Sequence, residues 1–398
     1  RADIYNTDMW SPVDPANPGY NEEDFTVNPE AIKEAETSSI IQPRIGLAFP
    51  VSDRTVFHLQ YGKFAQLPDM FDIYEPVSDM ANIFSGQFFF ANPFGWDLEP
   101  VRTTQYEIGF QQQFTEFASF DLTAFYKNTL GQVEIVLQET DPGATAADYN
   151  LFTNGDFSTT RGFEFTLRTR RVKGLLTRVN YTLTDAKGTN SDPSGQVSAL
   201  ENGTAPPSII RPLEFEQRHR GSMNLDYRTR PNQGLLLGDI GVNLLMTFNS
   251  GHRFTLSEGS GGQQGPDDGA LLVGADTRTR QPAEPLNASQ TPWVFNTDLR
   301  IDKGFNVGRF RALVYLYVQN LFNSEQIQNV YLRTGNAETD GFLETPPLSQ
   351  SIIESLGPQY VELYRAINLE NRQHYINQTL NDIYGTPRQI RLGLRLEF

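Results

Sequence analysis

The chain has 398 residues, 38% hydrophobic and 12% aromatic, with 32 glycines, 24 prolines and no cysteine. Its formal charge of −16, from 32 basic and 48 acidic side chains, excludes the basic surface that nucleic acid requires, and the missing cysteines exclude disulfides and thiolate metal sites. No apolar run approaches the ~18 residues of a membrane helix, so a chain of this kind can cross a bilayer only as strands.

In chain order, residues 1–42 are rich in Pro, Asn, Asp and Glu, lack alternation, and read as a loop segment. The chain starts at Arg1 without an initiator methionine or an apolar signal core, so further sequence is expected upstream. Strand patterns begin at 43–50 and 55–63, around a polar turn at 51–54; in the second, Phe57, Leu59 and Tyr61 alternate with His58 and Gln60. A long segment, 64–102, precedes strands at 103–114 and 117–127, where Leu122, Ala124 and Tyr126 alternate with Asp121, Thr123 and Phe125. After a second long segment, 128–157, the strand 158–170 sets Phe163, Phe165 and Leu167 against Glu164, Thr166 and Arg168. A turn at 171–174 leads to the strand 175–185, with Val179, Tyr181 and Leu183 on one face.

A third loop, 186–218, leads to strands at 219–228 and 239–249, joined by a turn containing Pro231, Asn232 and Gly234. The fourth loop, 250–292, leads to strands at 293–303 and 309–319 around a turn at 304–308. Within the last insertion, 320–387, Tyr360, Leu363, Tyr364 and Ile367 fall at helical spacing and predict a short amphipathic helix. The final strand, RQIRLGLRLEF, sets Ile390, Leu392, Leu394, Leu396 and Phe398 against Arg391, Gly393, Arg395 and Glu397.

Roughly eleven strands result, with tight turns alternating with loops of roughly 30 to 70 residues. All the long loops therefore gather at one end, as in outer-membrane barrels. The expected fold class is all-β: a transmembrane antiparallel β-barrel portion over 43–398, with 1–42 as an extracellular loop segment. A barrel is apolar only on its outer face, which accounts for low hydrophobicity beside high aromatic content. An odd strand count leaves the first and last strands running the same way, so they cannot close on each other and the chain reads as part of a larger barrel. A soluble all-β secreted binding module is the alternative fold reading.

The stretch DLEPVRTTQYEIGFQQQF at 97–114 resembles the loop-to-strand element of TonB-dependent outer-membrane receptors. STTRGFEFTLRTR at 158–170 and VQNLFN at 318–323 are similar to two further elements of that family, and 384–398 looks like its terminal strand, particularly in the Oar-like, carboxypeptidase-regulatory-domain branch. The resemblance implies a barrel of about 22 strands with an N-terminal plug, of which this chain would be the C-terminal half. It further implies uptake or binding of an extracellular nutrient, driven by a periplasmic TonB-type coupling protein that pulls on the plug. The expected location is the outer membrane of a Gram-negative bacterium, in contact with its lipid, with the long loops extracellular and the C-terminus periplasmic. Ile390, Leu392, Leu394, Leu396 and Phe398 would then form the barrel assembly signal. No plug or coupling box is visible in this sequence, so no coupling residue is assigned. A second functional reading is a barrel subunit that scaffolds a surface or secretion assembly, with a surface lipoprotein or other subunits as partners.

The run FSGQFFFANPFGW holds Phe84, Phe88, Phe89, Phe90, Phe94 and Trp96 within a long loop. Such density points to a ligand- or partner-binding surface, and equally to loops packed on one another or an interfacial girdle. Acidic patches at 14–24 and Asp267-Asp268 offer oxygens for calcium but lack EF-hand spacing. The glycine-rich run 259–265 lacks the Lys-Ser/Thr ending of a phosphate loop. His58, His219, His252 and His374 are scattered, without a metalloprotease or nucleophile-elbow motif, so neither catalysis nor a cofactor is expected.

Overall fold

A computed structural model describes residues 1–74, 80–86, 93–190, 209–230, 234–259, 280–308 and 310–397. Eleven antiparallel strands form one sheet in strict sequence order. They are β1 (Arg44–Ser52), β2 (Thr55–Gln66), β3 (Val101–Thr115), β4 (Ala118–Gln138), β5 (Tyr149–Thr169) and β6 (Leu175–Gly188). The remainder are β7 (His219–Arg228), β8 (Ile240–Asn249), β9 (Val294–Val307), β10 (Phe310–Gln319) and β11 (Gln389–Glu397). A two-residue strand, Arg211–Pro212, adds to β6. The sheet is an open meander with β1 and β11 at its two edges.

Cross-strand register turns the alternation of each strand into one continuous face. Phe57 lies opposite Phe49 and Phe110, and Leu122 opposite Phe110 and Phe165. Farther along, Val179 lies opposite Met223, Met223 opposite Met246, and Leu299 opposite Leu244 and Val318. The row ends on Leu316 facing Leu392 and Val314 facing Leu394. Among the described residues none covers this face: Leu392 is 77% and Leu394 62% exposed. On the opposite face His58, Asp121, Glu164, Arg168, Asn180 and Asn243 hold the same rank. A sheet this large with one greasy side is stable only where lipid covers that side, which removes the soluble-module reading.

Aromatic rings band the apolar face toward the long-loop rim. Trp293 stacks on Phe295 at 6.0 Å and on the His219 ring at 5.4 Å, and Tyr181 stacks on Phe248 at 6.3 Å. The opposite rim is closed by short turns. In the β5–β6 hairpin Val172 and Leu175 bond reciprocally around Lys173 and Gly174, both at positive φ, 51° and 90°, the two-residue geometry that follows the right-handed twist of its strands.

Four boundaries differ from the sequence reading. Residues 1–42 form an interrupted β-ribbon rather than an irregular loop: Ala2–Tyr5 pairs with Ser38–Ile41, Trp10–Pro12 with Ile32–Glu34, and Tyr20–Asn21 with Thr26–Val27. The 128–157 segment is mostly strand, because β4 and β5 keep pairing to Gln138 and Tyr149 through register shifts between Leu130 and Gln132 and between Gln132 and Glu134. Those bulges shift which face each residue occupies, which erases the period-2 signal. β9 runs on to Val307, shortening the expected turn at 304–308. The predicted helix is an α-helical turn, Gln359–Tyr364, followed by a π-helical one, Arg365–Glu370. In the α-helical turn Tyr364 is buried and Leu363 exposed, and Ile367, on the π turn, is exposed as well.

The buried apolar clusters lie in the loops rather than in the wall. The larger gathers Met9, Tyr20, Phe84, Phe94, Trp96 and Tyr149 with their neighbours, and a smaller one holds Tyr331, Ala337, Tyr375 and Ile383.

Candidate functional site

Three segments build the crown above β1–β5: the ribbon 1–42, the β2–β3 connection, and the tips of β4 and β5. The connection carries two one-turn helices, Met70–Tyr74 and Met80–Phe84. Phe94 enters the β5 edge as an added backbone partner, its N–H donating to the Asn150 carbonyl at 3.0 Å while its own carbonyl accepts from Phe152 N–H at 2.8 Å. That bridge sets its ring against Trp96, stacked at 4.4 Å, and edge-on to Tyr149 at 5.7 Å. Phe84 closes the cluster 5.0 Å from Tyr149. The ribbon is tied down by polar contacts: Tyr149 hydroxyl to the Pro15 carbonyl at 2.7 Å, Tyr74 hydroxyl to the Thr7 carbonyl at 2.6 Å, and Thr7 hydroxyl to the Trp96 carbonyl at 3.3 Å.

Phe84, Phe94 and Trp96 are therefore 0%, 1% and 4% exposed, packed between loops with no ring face open to a ligand. Phe88, Phe89 and Phe90 lie outside the described residues. Beside Trp96 a cavity of about 240 Å³ is lined by Tyr5, Thr7, Lys33, Glu36 and Asp97. Burial raises the Asp97 carboxyl above its ordinary value, opposed by the positive charge of Lys33.

The last loop has a separate architecture. The Asn320 side chain ties the turn after β10, donating to the Ser324 carbonyl at 2.9 Å and accepting from Ser324 N–H at 3.0 Å. Asp340, almost fully buried, accepts from the Tyr364 hydroxyl and from Phe342 N–H; burial raises its pKa. Arg372 grips Asp382 with two hydrogen bonds, 2.6 and 2.9 Å, which raise the guanidinium and lower the carboxyl. At the root of this loop an open cavity of about 580 Å³ is lined by Glu325, Glu338, Glu370, Arg372, Asp382 and Tyr384. Sequence reading missed it because its acids come from four separate stretches with no common spacing.

The four histidines stay apart. His58 Nε2 meets the Thr123 hydroxyl at 3.2 Å, His219 Nδ1 the Tyr181 hydroxyl at 2.8 Å, and His252 Nδ1 the Thr291 hydroxyl at 3.4 Å. His374 sits in the short helix Gln373–Thr379 of the last loop. Asp14 and Asp24 accept turn amides from Ala16 and Thr26. Asp267 and Asp268, with residues 260–265 of the glycine-rich run, lie outside the described residues, as does Phe398. Among the described residues no three His, Cys, Asp or Glu side chains converge as metal ligands. Ile390, Leu392, Leu394 and Leu396 all lie on the apolar face of β11, each opposite an apolar residue of β10.

A meander wall, apolar on one side and polar on the other, with its elaborate loops along one rim, defines a transmembrane β-barrel wall. The family model described as TonB dependent receptor-like, beta-barrel matches residues 1–321. The chain belongs to that family of receptors. The outer membrane transporter YddB from Escherichia coli is similar in fold, with a TM-score of 0.52 at 11% identity over 74% of this chain and 38% of its own. The Ferric-Catecholate import receptor Fiu from K12 E. coli aligns with a TM-score of 0.46 at 15% identity, over 76% of this chain and 33% of its own. The chain thus spans about a third of the length of the solved structures it matches. No curated protein sequence matches it.

Proposed function

We propose that this chain is the wall and extracellular crown of an outer-membrane receptor that binds or takes up a nutrient from outside the cell. The observation that carries the reading is the unbroken apolar face, from Phe49 to Leu394, combined with long connections on one rim only. That rim is extracellular and the short turns and the β11 terminus are periplasmic, since in membrane barrels it is the extracellular connections that grow long. Residues 1–42 are then part of the extracellular crown and 43–398 the membrane-embedded portion with its loops. A plug and further strands from elsewhere in the receptor complete the barrel, and a TonB-type protein in the periplasm acts on that plug. The resemblance of the terminal strand supports placing the receptor in the Oar-like branch. The alternating Ile390, Leu392, Leu394 and Leu396, with Phe398, act as the signal read by the assembly machinery.

The test uses the full receptor in its own outer membrane. Unboiled samples should migrate faster than boiled ones, and protease added to intact cells should cut within the 320–387 loop and spare the turn at Lys173. Uptake of the nutrient should stop when the coupling protein is deleted while binding persists. Cutting at Lys173 from outside, or uptake indifferent to the coupling protein, would overturn the reading.

A further inference from the structure

Near the short-turn rim the polar face gathers four arginines: Arg54, Arg168, Arg170 and Arg178. Arg168 of β5 lies directly opposite Arg178 of β6 in the ladder, and both side chains are exposed. Arg54, Arg168 and Arg170 line a cavity of about 310 Å³ floored by Gln111, Gln113 and Ser119. The frame is fixed by backbone bonds, Gln113 N–H to the Arg54 carbonyl at 2.8 Å and Arg170 N–H to the Phe117 carbonyl at 2.7 Å.

Like charges directly opposite each other destabilise a sheet, and this chain, at −16, has acids to spare. Other arginines of the wall are neutralised: Arg171, in the adjoining β5–β6 turn, by Asp226, and, farther toward β10, Arg228 by Asp302 at 3.2 Å and Arg311 by Asp239 at 2.7 Å. Among the described residues no carboxylate pairs with any of the four arginines; Asp53 and Glu116 stand in the cavity lining without reaching one. Guanidinium groups gathered around a floor of carboxamides match the forked donors that carboxylate and phosphate oxygens accept.

We propose that this cavity is an oxyanion site, taking a carboxylate or phosphate group on Arg54, Arg168 and Arg170, with the two glutamines as further donors and Arg178 adding positive charge across the ladder from Arg168. It rests on the reading that the polar face lines a lumen. The oxyanion comes either from an acidic side chain of polypeptide filling that lumen or from a solute passing through it.

The sign of one substitution decides the matter. In the full receptor, in detergent at low salt, Arg168→Gln removes repulsion if the pair is bare and so raises the unfolding midpoint. If an oxyanion is held at Arg168, the same substitution lowers the midpoint, Arg168→Lys lowers it less, and high salt erases the difference. Calorimetric titration with pyrophosphate separates the sources. Saturable binding that weakens about tenfold in Arg168→Gln identifies a solute. A lowered midpoint without pyrophosphate binding identifies a carboxylate of the receptor itself. A raised or unchanged midpoint without pyrophosphate binding overturns the proposal. Heat-dependent migration of the same samples reports the barrel separately, so failure of the site and failure of the receptor reading are told apart.

Discussion

Gly393 shows how one missing side chain shapes the wall. A Cβ there would sit 2.2 Å from the Tyr315 ring of the neighbouring strand, and that ring in turn lies 4.7 Å beneath the Arg300 guanidinium. Gly393→Val should therefore displace the tyrosine and cost about 1–3 kcal/mol, read as a lowered urea midpoint, while Tyr315→Ala combined with it should cost less than the two changes summed. In the last loop the Arg372–Asp382 pair carries a pH dependence. Its hydrogen bonds hold Asp382 below the ordinary value of 3.8, so the stabilisation is complete above 3.8 and drains as pH falls below it. Asp340, pushed up from 3.8 by burial, acts with the opposite sign and loses stability as pH rises above that value. Arg372→Gln should lower hydrogen-exchange protection of residues 372–384 at neutral pH by an amount of order 1 kcal/mol, since the pair is partly exposed. The difference from wild type should vanish well below 3.8. The sequence marked the aromatic density around Phe94 but not its direction, because period and composition do not reveal that β5 would take Phe94 as a bridge partner and turn its ring inward.

Strands were legible where nothing interrupted their period. β7 was expected at 219–228 and spans His219–Arg228, since Met223, Leu225 and Tyr227 alternate without a bulge. β4 and β5 were cut short in the sequence reading because Gly131, at φ +70°, and the adjoining register shifts hide the pairing that continues above them. The helical segment failed for a related reason: the Arg365–Glu370 turn is π-helical, and a 3.6-residue template places Ile367 on the wrong side. The face assignment of the wall has a direct check. Leu316 sits between Ile301 and Leu392 on the lipid side, and Leu316→Arg should cost about 2–4 kcal/mol if that position is near the bilayer midplane. Thr182→Arg on the polar face should change folding midpoint by no more than about 0.5 kcal/mol. Refolding both variants into thin bilayers and titrating with guanidinium measures the pair; equal costs would mean the faces are misassigned.

Across the whole molecule, order is divided between a wall held by its ladder and lipid and a crown held by its own apolar core. The ribbon 1–42 belongs wholly to the crown. Its two ends already touch, Gln42 N–H donating to the Arg1 carbonyl at 2.7 Å, and the chain passes from Ile41 to β1 across only Gln42 and Pro43. Removing residues 2–41 therefore leaves the register of β1 on β2 untouched. It strips Met9, Tyr20 and Ala35 from the aromatic cluster, along with the carbonyl acceptors of Tyr149 and Tyr74. Loss of those apolar contacts exposes Phe84 and Trp96, at a cost comparable to a large core truncation, about 3–5 kcal/mol, confined to the crown. In the full receptor the deletion should keep heat-modifiable migration, while amides at 93–98 and 146–151 exchange faster and added chymotrypsin cuts the aromatic-rich β2–β3 connection. Phe84→Ala should reproduce the faster exchange without shortening the chain. If the deletion abolishes barrel assembly instead, the ribbon is part of the wall's folding nucleus, and the division between lipid-stabilised wall and self-stabilised crown does not hold.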